Sequence, residues 1–422
     1  MGFACGRQKF FSKSLKKRVL MNSETKKLDK EQMKRFNRQL IFREIHRNGS
    51  ISRSQLAKLT GLTPMSVGRI ADELISMGVV TESDQPELHL DGKGARTVGR
   101  KPKLLYLVPE KMLNLGMELD RDRMRAGVLD INGKLFLCVE TKKDLAELSP
   151  ETVAKLAAQL IGRLRKKLGN MLQTELEPFV ALSVVCPGIV DSKRGIIRFS
   201  SQLRWENVDF AQMLRNSTKI PNIRIDNEVK SRGQAEAVFG AGQKYKRVAL
   251  LNIGSGLGSC LVLQRQVYRG KENIAGEIGH ICVEPGGKLC ECGRRGCLQT
   301  RLSDLALLEE MKTTGHEGTI EELFAAYDKG EQWAVEIIKG TARYAVLALE
   351  MIRNLYAPNV TVLCGRLVED YPQFYQAIVE EYISQQANQF NSMELTLSTL
   401  GADGNLIGAG ASALEMNFEA KG

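Results

Sequence analysis

Between residues 29 and 48, apolar side chains recur every three or four positions. Met33, Phe36, Leu40, Ile41 and Ile45 predict a helix that Asn48-Gly49 ends. Ser52 is placed to cap a short helix over 53–59 carrying Leu56, and Thr60-Gly61-Leu62 makes a turn. Thr63 and Pro64 then open a third helix, with Val67, Ile70, Leu74 and Met77 on one face. A longer helix followed by two short ones around a glycine-containing turn is a helix-turn-helix. Its third helix would lie in the major groove of DNA and present Thr63, Met65, Ser66 and Arg69 to base edges, with Arg53 and Ser54 beside them at the start of the second helix. Strands predicted at 79–81 and 103–108 flank a polar loop, which has the form of a wing. Within it, Gly99-Arg100-Lys101-Pro102 is flat enough for Arg100 and Lys101 to enter a minor groove; the same stretch also reads as an interdomain linker.

The texture changes at residue 114. Strands are expected at 114–119, 124–131 and 134–141, the last two joined by an Asn132-Gly133 hairpin turn, followed by a helix over 150–172 and an apolar strand at 178–185. A comparable set returns at 247–252, 258–264 and 266–269. Helices at 302–313, 320–329 and 332–355 follow, then a strand at 360–363 that stops at Gly365. Two related α/β lobes with a ligand cleft between them would produce this repetition. No apolar run reaches bilayer length; the longest, 179–190, is broken by Pro187-Gly188.

Charge divides the chain at the same place. The 422 residues carry a formal net charge of +11. Residues 1–107 hold 22 Lys and Arg against 10 Asp and Glu, leaving 38 against 39 in the remainder. All of the positive excess therefore falls on the helix-turn-helix and on a basic leader, 1–28, whose Met21 is an alternative start. That is the electrostatic footprint of a phosphate-binding module on a neutral body. The leader has no apolar core of a secretory signal, and Gly6 stands where a myristoylation motif needs Ser or Thr.

Three of the nine cysteines lie within eight residues as Cys290-x-Cys292-x4-Cys297, and one of only four histidines, His280, lies ten residues upstream. These four supply the ligand types of a closed tetrahedral zinc site, Zn2+ acting structurally with no position left for a catalytic water. Gly293 and Gly296 suit a tight turn that aims amides at the thiolates. Clustered thiols in a chain without secretory features point to a metal and a reducing cytoplasm.

Taken together, Ala275-Gly276-Glu277-Ile278-Gly279-His280 and Cys290-Glu291-Cys292-Gly293-Arg294-Arg295-Gly296-Cys297 resemble the ROK family of bacterial sugar kinases and sugar-responsive repressors. Gly254-Ser255-Gly256-Leu257-Gly258 is similar to that family's phosphate-facing loop, and Pro187-Gly188-Ile189-Val190 to its sugar-side turn. The resemblance implies an α/β fold: an N-terminal winged helix-turn-helix over 29–108, then a two-lobed, actin-like, ribonuclease H-like body. Lobe 1 would span 109–235, completed by 402–422, and lobe 2 would span 236–401 with the zinc loop at 276–299. It further implies that Gly188, Asn227, Glu228, Glu277, His280 and Gln299 surround a sugar, with zinc on His280, Cys290, Cys292 and Cys297 bracing the loop.

Two departures from the kinases bear on chemistry. Their Asp-x-Gly-Gly-Thr phosphate loop corresponds to Glu118-Leu119-Asp120-Arg121-Asp122, which has no glycine and two extra acidic side chains that oppose a nucleotide. Their Asn-Asp catalytic pair corresponds to Asn227-Glu228 when aligned on Glu236, or is shifted to use Asp226. A base displaced by about 1 Å loses on the order of a hundredfold in rate. The expected function is therefore a cytoplasmic, sugar-responsive transcription regulator of repressor type, with no catalytic residue and a degenerate base position at Glu228. Its partners would be a double-stranded DNA operator, a sugar or sugar phosphate and a second copy of itself, as a homodimer or dimer of dimers, with no membrane involved. The alternatives are a sugar kinase with an accessory DNA-binding domain and a regulator controlled by a protein partner.

Overall fold

Two helix caps organise the N-terminal part of the computed structural model, which describes residues 30–83, 103–109, 113–173, 179–385 and 393–420. Ser52 Oγ accepts the Gln55 amide (3.3 Å) while Gln55 Oε1 accepts the Ser52 amide (3.0 Å), a reciprocal capping box. Thr63 Oγ1 accepts the Ser66 amide (3.2 Å) with Pro64 at the first helical position. The three helices are α1 (Lys30–Asn48), α2 (Arg53–Thr60) and α3 (Pro64–Ser76), with Gly61 closing α2 at φ 70°. Ile41, Phe42, Ile45, Leu56, Val67, Ile70 and Leu74 are buried.

The apolar register expected for α1 needs correction. Met33 and Phe36 are 45% and 56% exposed, and the buried face runs through Arg38, Ile41, Phe42 and Ile45. Arg38 reaches the core because its guanidinium meets Glu73 of α3 at 3.0 Å. Strands β1 (Ser50–Ser52), β2 (Val80–Ser83) and β3 (Leu104–Leu107) form an antiparallel sheet in the order β1-β3-β2. The three-residue β1 was too short to show an alternation. The basic leader 1–28 and the loop with Arg100 and Lys101 lie outside the described residues.

The chain separates into one unit within 1–108 and a second within 109–421. In the second, β4 (Asn114–Leu119), β5 (Arg123–Leu129) and β6 (Leu135–Lys142) are followed by α4 (Pro150–Leu172) and β7 (Ala181–Cys186). A small sheet of β8 (Ile189–Asp191), β9 (Ile196–Ser200) and β10 (Trp205–Val208) leads through α5 (Phe210–Thr218) to β11 (Asn222–Asn227) and α6 (Glu228–Phe239). Next come β12 (Arg247–Ile253), β13 (Leu257–Leu263) and β14 (Gln266–Val267). Helices α7 (Asp304–Thr313), α8 (Ile320–Asp328) and α9 (Gln332–Tyr356) precede β15 (Val360–Cys364) and α10 (Arg366–Glu369). The chain continues with α11 (Pro372–Ser384), β16 (Glu394–Leu397) and α12 (Gly404–Ala420).

The two five-stranded sheets share one topology. One runs β6-β5-β4-β7-β11 and the other β14-β13-β12-β15-β16, each with two antiparallel pairings followed by two parallel ones. The repetition visible in the sequence is therefore a repeated sheet. Helix α12 returns to the first sheet and packs on β4, β5, β7 and α6. No described helix is long and apolar enough to cross a membrane.

Glycines permit that return. A Cβ on Gly408 would lie 2.5 Å from the Ser231 carbonyl oxygen, and one on Gly116 would lie 2.9 Å from the Gly410 nitrogen. Gly408→Ala is expected to lower unfolding free energy by about 1–3 kcal/mol through overpacking. Gly162 of α4 has nothing within 4 Å of its built Cβ, so Gly162→Ala should raise stability by about 0.5–1 kcal/mol. Denaturant titration of both variants checks the pair, and an unaffected Gly408 variant would contradict the packing.

Candidate functional site

Three parallel strands of the first sheet, β4, β7 and β11, end side by side, with Glu118 opposite Val185 and Asn227 opposite Cys186. The region beyond such carboxyl ends is where open α/β sheets place ligands. Three segments emerge there: the Asp120-Arg121-Asp122 turn, Pro187-Gly188, and the Asn227-Glu228 start of α6. Gly188 has φ 109°, and a Cβ on it would lie 2.3 Å from the Phe199 carbonyl oxygen, so only glycine fits. Its carbonyl accepts Asn227 Nδ2 (2.9 Å), and Asn227 Oδ1 accepts the Lys230 amide (3.0 Å) as the cap of α6. Asn227 is thus fixed at both ends of its amide.

The two registers considered for the base position separate cleanly. Asp226 is buried and bound bidentately by Arg269, at 2.8 Å to Oδ1 and 2.6 Å to Oδ2, with Ser192 Oγ donating at 2.9 Å. It is a structural anchor. Glu228 has no hydrogen-bond or ion-pair partner among the described residues, although it is only half-exposed. Burial, followed by the neighbouring charges of Asp120 and Glu118, pushes its carboxyl up to about 8, against the weaker opposing charge of Arg232. Glu118 itself is buried, accepts Asn405 Nδ2 at 2.9 Å and lies 3.3 Å from Arg125.

Facing residues come from the 276–280 loop. Gly276 has φ 91° and lies so close to β13 that a Cβ would meet the Ser259 carbonyl oxygen at 2.0 Å, while one on Gly279 would meet that of Leu257 at 2.3 Å. Both glycines press the loop on β13 and set Glu277 and His280 on a single 3₁₀ turn. Gln299 Oε1 accepts the Leu257 amide at 3.4 Å, so its oxygen is engaged with the scaffold.

His280, Cys290, Cys292 and Cys297 each bring a ligand atom to within 4.8 Å of the others. His280 Nδ1 lies 3.6 Å from Cys290 Sγ, and the Sγ atoms of Cys292 and Cys297 are 3.6 Å apart. A disulfide would need about 2.05 Å, whereas tetrahedral metal–sulfur bonds of about 2.3 Å place two sulfurs about 3.8 Å apart. Gly293 (φ 82°) and Gly296 (φ 73°) turn the chain, and a Cβ on Gly296 would lie 1.7 Å from the Glu284 carbonyl oxygen. Burial, and then the thiols of Cys292 and Cys290, push Cys297 up to about 12. Burial holds the His280 imidazole below its ordinary value and therefore neutral. Soft thiols and a neutral imidazole in tetrahedral spacing can hold a metal ion. With Nδ1 on the sulfur side, Nε2 remains to donate elsewhere.

Sequence reasoning missed a buried network behind Glu277. Lys230 of α6 is 1% exposed, with Nζ 2.5 Å from the Asn273 carbonyl oxygen and 3.5 Å from Glu277 Oε1. Asn273 Nδ2 donates to the Val190 carbonyl (2.9 Å) and Ser192 Oγ (3.2 Å), tying the 271–273 segment of the second lobe to the first. The residues between β14 and Glu277 have no periodicity, so nothing in the sequence marked them.

In the N-terminal unit, Thr63 and Met65 are exposed at the start of α3, Met65 by 86%, and Arg69 is exposed one turn on. Ser66 is half-buried and its Oγ accepts Thr63 Oγ1 at 2.9 Å. Ser54 is exposed and pairs with Ser52 Oγ at 3.1 Å. Arg53, the first residue of α2, is half-buried. Its guanidinium is engaged inside the unit, with Glu82 at 2.8 and 3.2 Å and with Asp72 at 2.8 Å, joining α2, α3 and β2.

A ROK family model matches residues 114–416, and a model described as winged helix-turn-helix DNA-binding matches residues 37–81. The chain belongs to the ROK family. It is 25% identical over 388 residues to a xylose repressor of Bacillus spizizenii, covering 92% of this chain and 97% of that one. It is 28% identical over 365 residues to the DNA-binding transcriptional dual regulator NagC of Escherichia coli, covering 84% and 86%. Among solved structures, a ROK family transcriptional regulator homologous to the Escherichia coli MLC protein shares the fold with TM-score 0.75, 23% identity and coverage of 92% and 100%. A ROK hexokinase from Thermus thermophilus matches with TM-score 0.61 and 27% identity, covering 74% of this chain and 99% of its own. The regulator match thus covers a larger share of this ROK chain than the hexokinase match.

The raised Glu228 carboxyl gives a pH signature. Its folded value of about 8 exceeds the ordinary 4.5, so the folded state keeps a proton that the unfolded chain has lost between those values. The resulting stability is fully present below about 4.5 and is lost as pH rises through about 8. Glu228→Gln should therefore leave Tm unchanged near pH 5 and raise it by about 2–4 °C near pH 9. Calorimetric scans at both pH values test this; an equal shift at both would remove the titration argument.

Proposed function

We propose that this chain is a cytoplasmic, sugar-responsive DNA-binding transcription regulator of repressor type, acting on carbohydrate-utilisation genes. The observation that carries the reading is the turn after β4. Where a nucleotide-binding ROK loop would offer glycine amides, this chain has Asp120-Arg121-Asp122, with Glu118 buried beneath it. Acidic side chains at that position repel the phosphates of ATP, and burial, then the charges of Asp120 and Glu118, push the carboxyl of Glu228, at the candidate base position, up to about 8. The body then binds a sugar without transferring phosphate to it. The names of the relatives, a xylose repressor and a transcriptional dual regulator, support the same conclusion for the full length of the chain.

On this reading, Thr63, Met65, Ser66 and Arg69 approach base edges in the major groove. Arg69 is suited to guanine and the exposed Met65 methyl to apolar contact with thymine. Arg100 and Lys101 would enter the adjacent minor groove. Gly188, Asn227, Glu228, Glu277, His280 and Gln299 surround the sugar, the carboxylates accepting hydroxyl protons and His280 Nε2 donating. Zinc on His280, Cys290, Cys292 and Cys297 would hold the loop that presents Glu277; when bound it supplies rigidity, since its four positions are filled by protein. A homodimer would read two half-sites. The 120–122 turn also argues against residual kinase activity.

Arg69→Ala is expected to weaken binding to DNA upstream of the chain's own gene by on the order of tenfold or more. Binding by the unaltered chain should fall steeply between 50 and 200 mM salt. Gel-shift titration against random duplex reads both, and equal affinity for the two DNAs would defeat the regulator reading. Sugar-dependent ATP turnover of even about 1 s⁻¹, at the low end of ordinary enzymes, would instead establish a kinase. Cys292→Ser should lower the zinc stoichiometry measured by atomic emission and lower Tm. Unchanged zinc content would sink the metal assignment.

A further inference from the structure

A hexose or pentose reaches a cell both free and as a phosphate ester, and the charges around the cleft distinguish the two. Carboxylates meet there from both lobes: Glu118 near the end of β4 and Asp120 just after it, Glu228 at the start of α6, and Glu277 on the facing loop. A phosphate monoester would add about −1.5 to −2 charges to that group near neutral pH. It would need a free cation or a row of free amides to be held.

Most of the cations that border this cleft are already committed, and the exposed Arg121 stands in sequence between two carboxylates, Asp120 and Asp122. Arg269 is bidentate on Asp226. Lys230, buried, serves the Asn273 carbonyl and Glu277. Arg125 binds Asp403, Glu118 at 3.3 Å and the Ala402 carbonyl at 2.9 Å. Arg123 lies 3.9 Å from Glu118 and 3.8 Å from Asp120. Arg232 is held by Glu369, by Ser398 at 3.0 Å and by the Gly401 carbonyl at 2.9 Å. At the glycine turn after β12, two amides are engaged by the chain itself: the Gly254 amide donates to the Gly256 carbonyl (3.1 Å) and the Leu257 amide to Gln299 (3.4 Å).

We propose that the effector of this protein is an unphosphorylated sugar, and that Glu228, unpartnered at the head of α6, is the residue that excludes the phosphate ester. The inference rests on the sugar-regulator reading above and narrows it. Sugar hydroxyls can donate to a carboxylate and accept from a carboxylic acid, so a neutral ring satisfies Glu228 in either protonation state. A phosphate oxygen can only accept when ionised, and close to Asp120 and Glu228 it meets like charge. The upward shift of the Glu228 carboxyl is a sign of the same environment, which already resists one more negative charge.

Titration calorimetry of the full chain at pH 8.5 with three matched pairs decides the matter: glucose and glucose 6-phosphate, xylose and xylose 5-phosphate, N-acetylglucosamine and its 6-phosphate. At least one free sugar should bind, and its phosphate should bind on the order of a hundredfold more weakly. Glu228→Gln should narrow that gap about tenfold, and Asp120→Asn should narrow it in the same direction. A phosphate ester that binds as tightly as its parent sugar, or more tightly, overturns the proposal while leaving the sugar-regulator reading intact. A gap unchanged in both variants overturns the role of Glu228. If none of the six compounds binds, the sugar reading itself fails and the proposal falls with it.

Discussion

The ion pair between Asp226 and Arg269 joins the parts of the body that everything else in the site depends on. Asp226 ends β11 in the first lobe, and Arg269 follows β14 in the second. With Asp226 buried and satisfied by a guanidinium, a hydroxyl and the Asn227 amide, the next two residues must leave the sheet in one geometry. Asn227 becomes the cap of α6 and Glu228 its first residue. Removing one partner of such a pair would leave an uncompensated buried charge, an expensive outcome. The same guanidinium reaches Asn273 Oδ1 (3.1 Å), whose backbone carbonyl in turn receives Lys230. A single charge pair therefore orients the residues on both sides of the cleft, and a change at either lobe is felt at Glu277.

The legible parts of this molecule are those in which a local rule was strong. Ser52 and Thr63 marked helix starts because their side chains cap nearby amides, and Pro64 reinforced the second. The helix at 150–172 was visible because its apolar stripe is long and its Ser149 cap is followed by Pro150. The four metal-ligating candidates were visible as spacing alone. What escaped has a different character: the strands β8–β10 are only three to five residues long, and Lys230, Arg269 and Asn273 depend on partners 43 to 83 positions away. The Arg53 contact with Glu82, 29 residues on, was equally illegible, since a basic residue at a helix start suits phosphate and carboxylate alike.

The Cys-rich loop gains its importance from where its rigidity is delivered. Its turns are closed by its own amides, with Cys290 taking the Arg294 carbonyl and Val283 that of Gly296. It would therefore keep its outline with modest help from the body. What the loop cannot fix alone is the neighbourhood of Glu277, which belongs to β13 through Gly276 and to α6 through Lys230. A metal at the four ligands would pin His280, three residues after Glu277. Glu277 is thus held between two supports of different chemistry, one a soft-ligand cluster and one a buried ammonium.

This double support bears on how binding could be felt elsewhere. Ligand atoms that touch Asn227 and Gly188 engage the first lobe, while those that touch Glu277 and His280 engage the second, and Asn273 already links the two through Val190 and Ser192. A sugar that bridges both sets gains its full affinity only when the lobes are close enough for both to reach it. The free energy of binding then acts as a bias on lobe separation. A kinase uses such closure to exclude water and align a phosphate. Here Glu118 and Asp120, with Arg123 and Arg125 beside them, occupy the segment that aligns with the kinases' phosphate loop. In the regulator proposed above, the energy of closure would instead shift a conformational equilibrium, which is what a sensor needs.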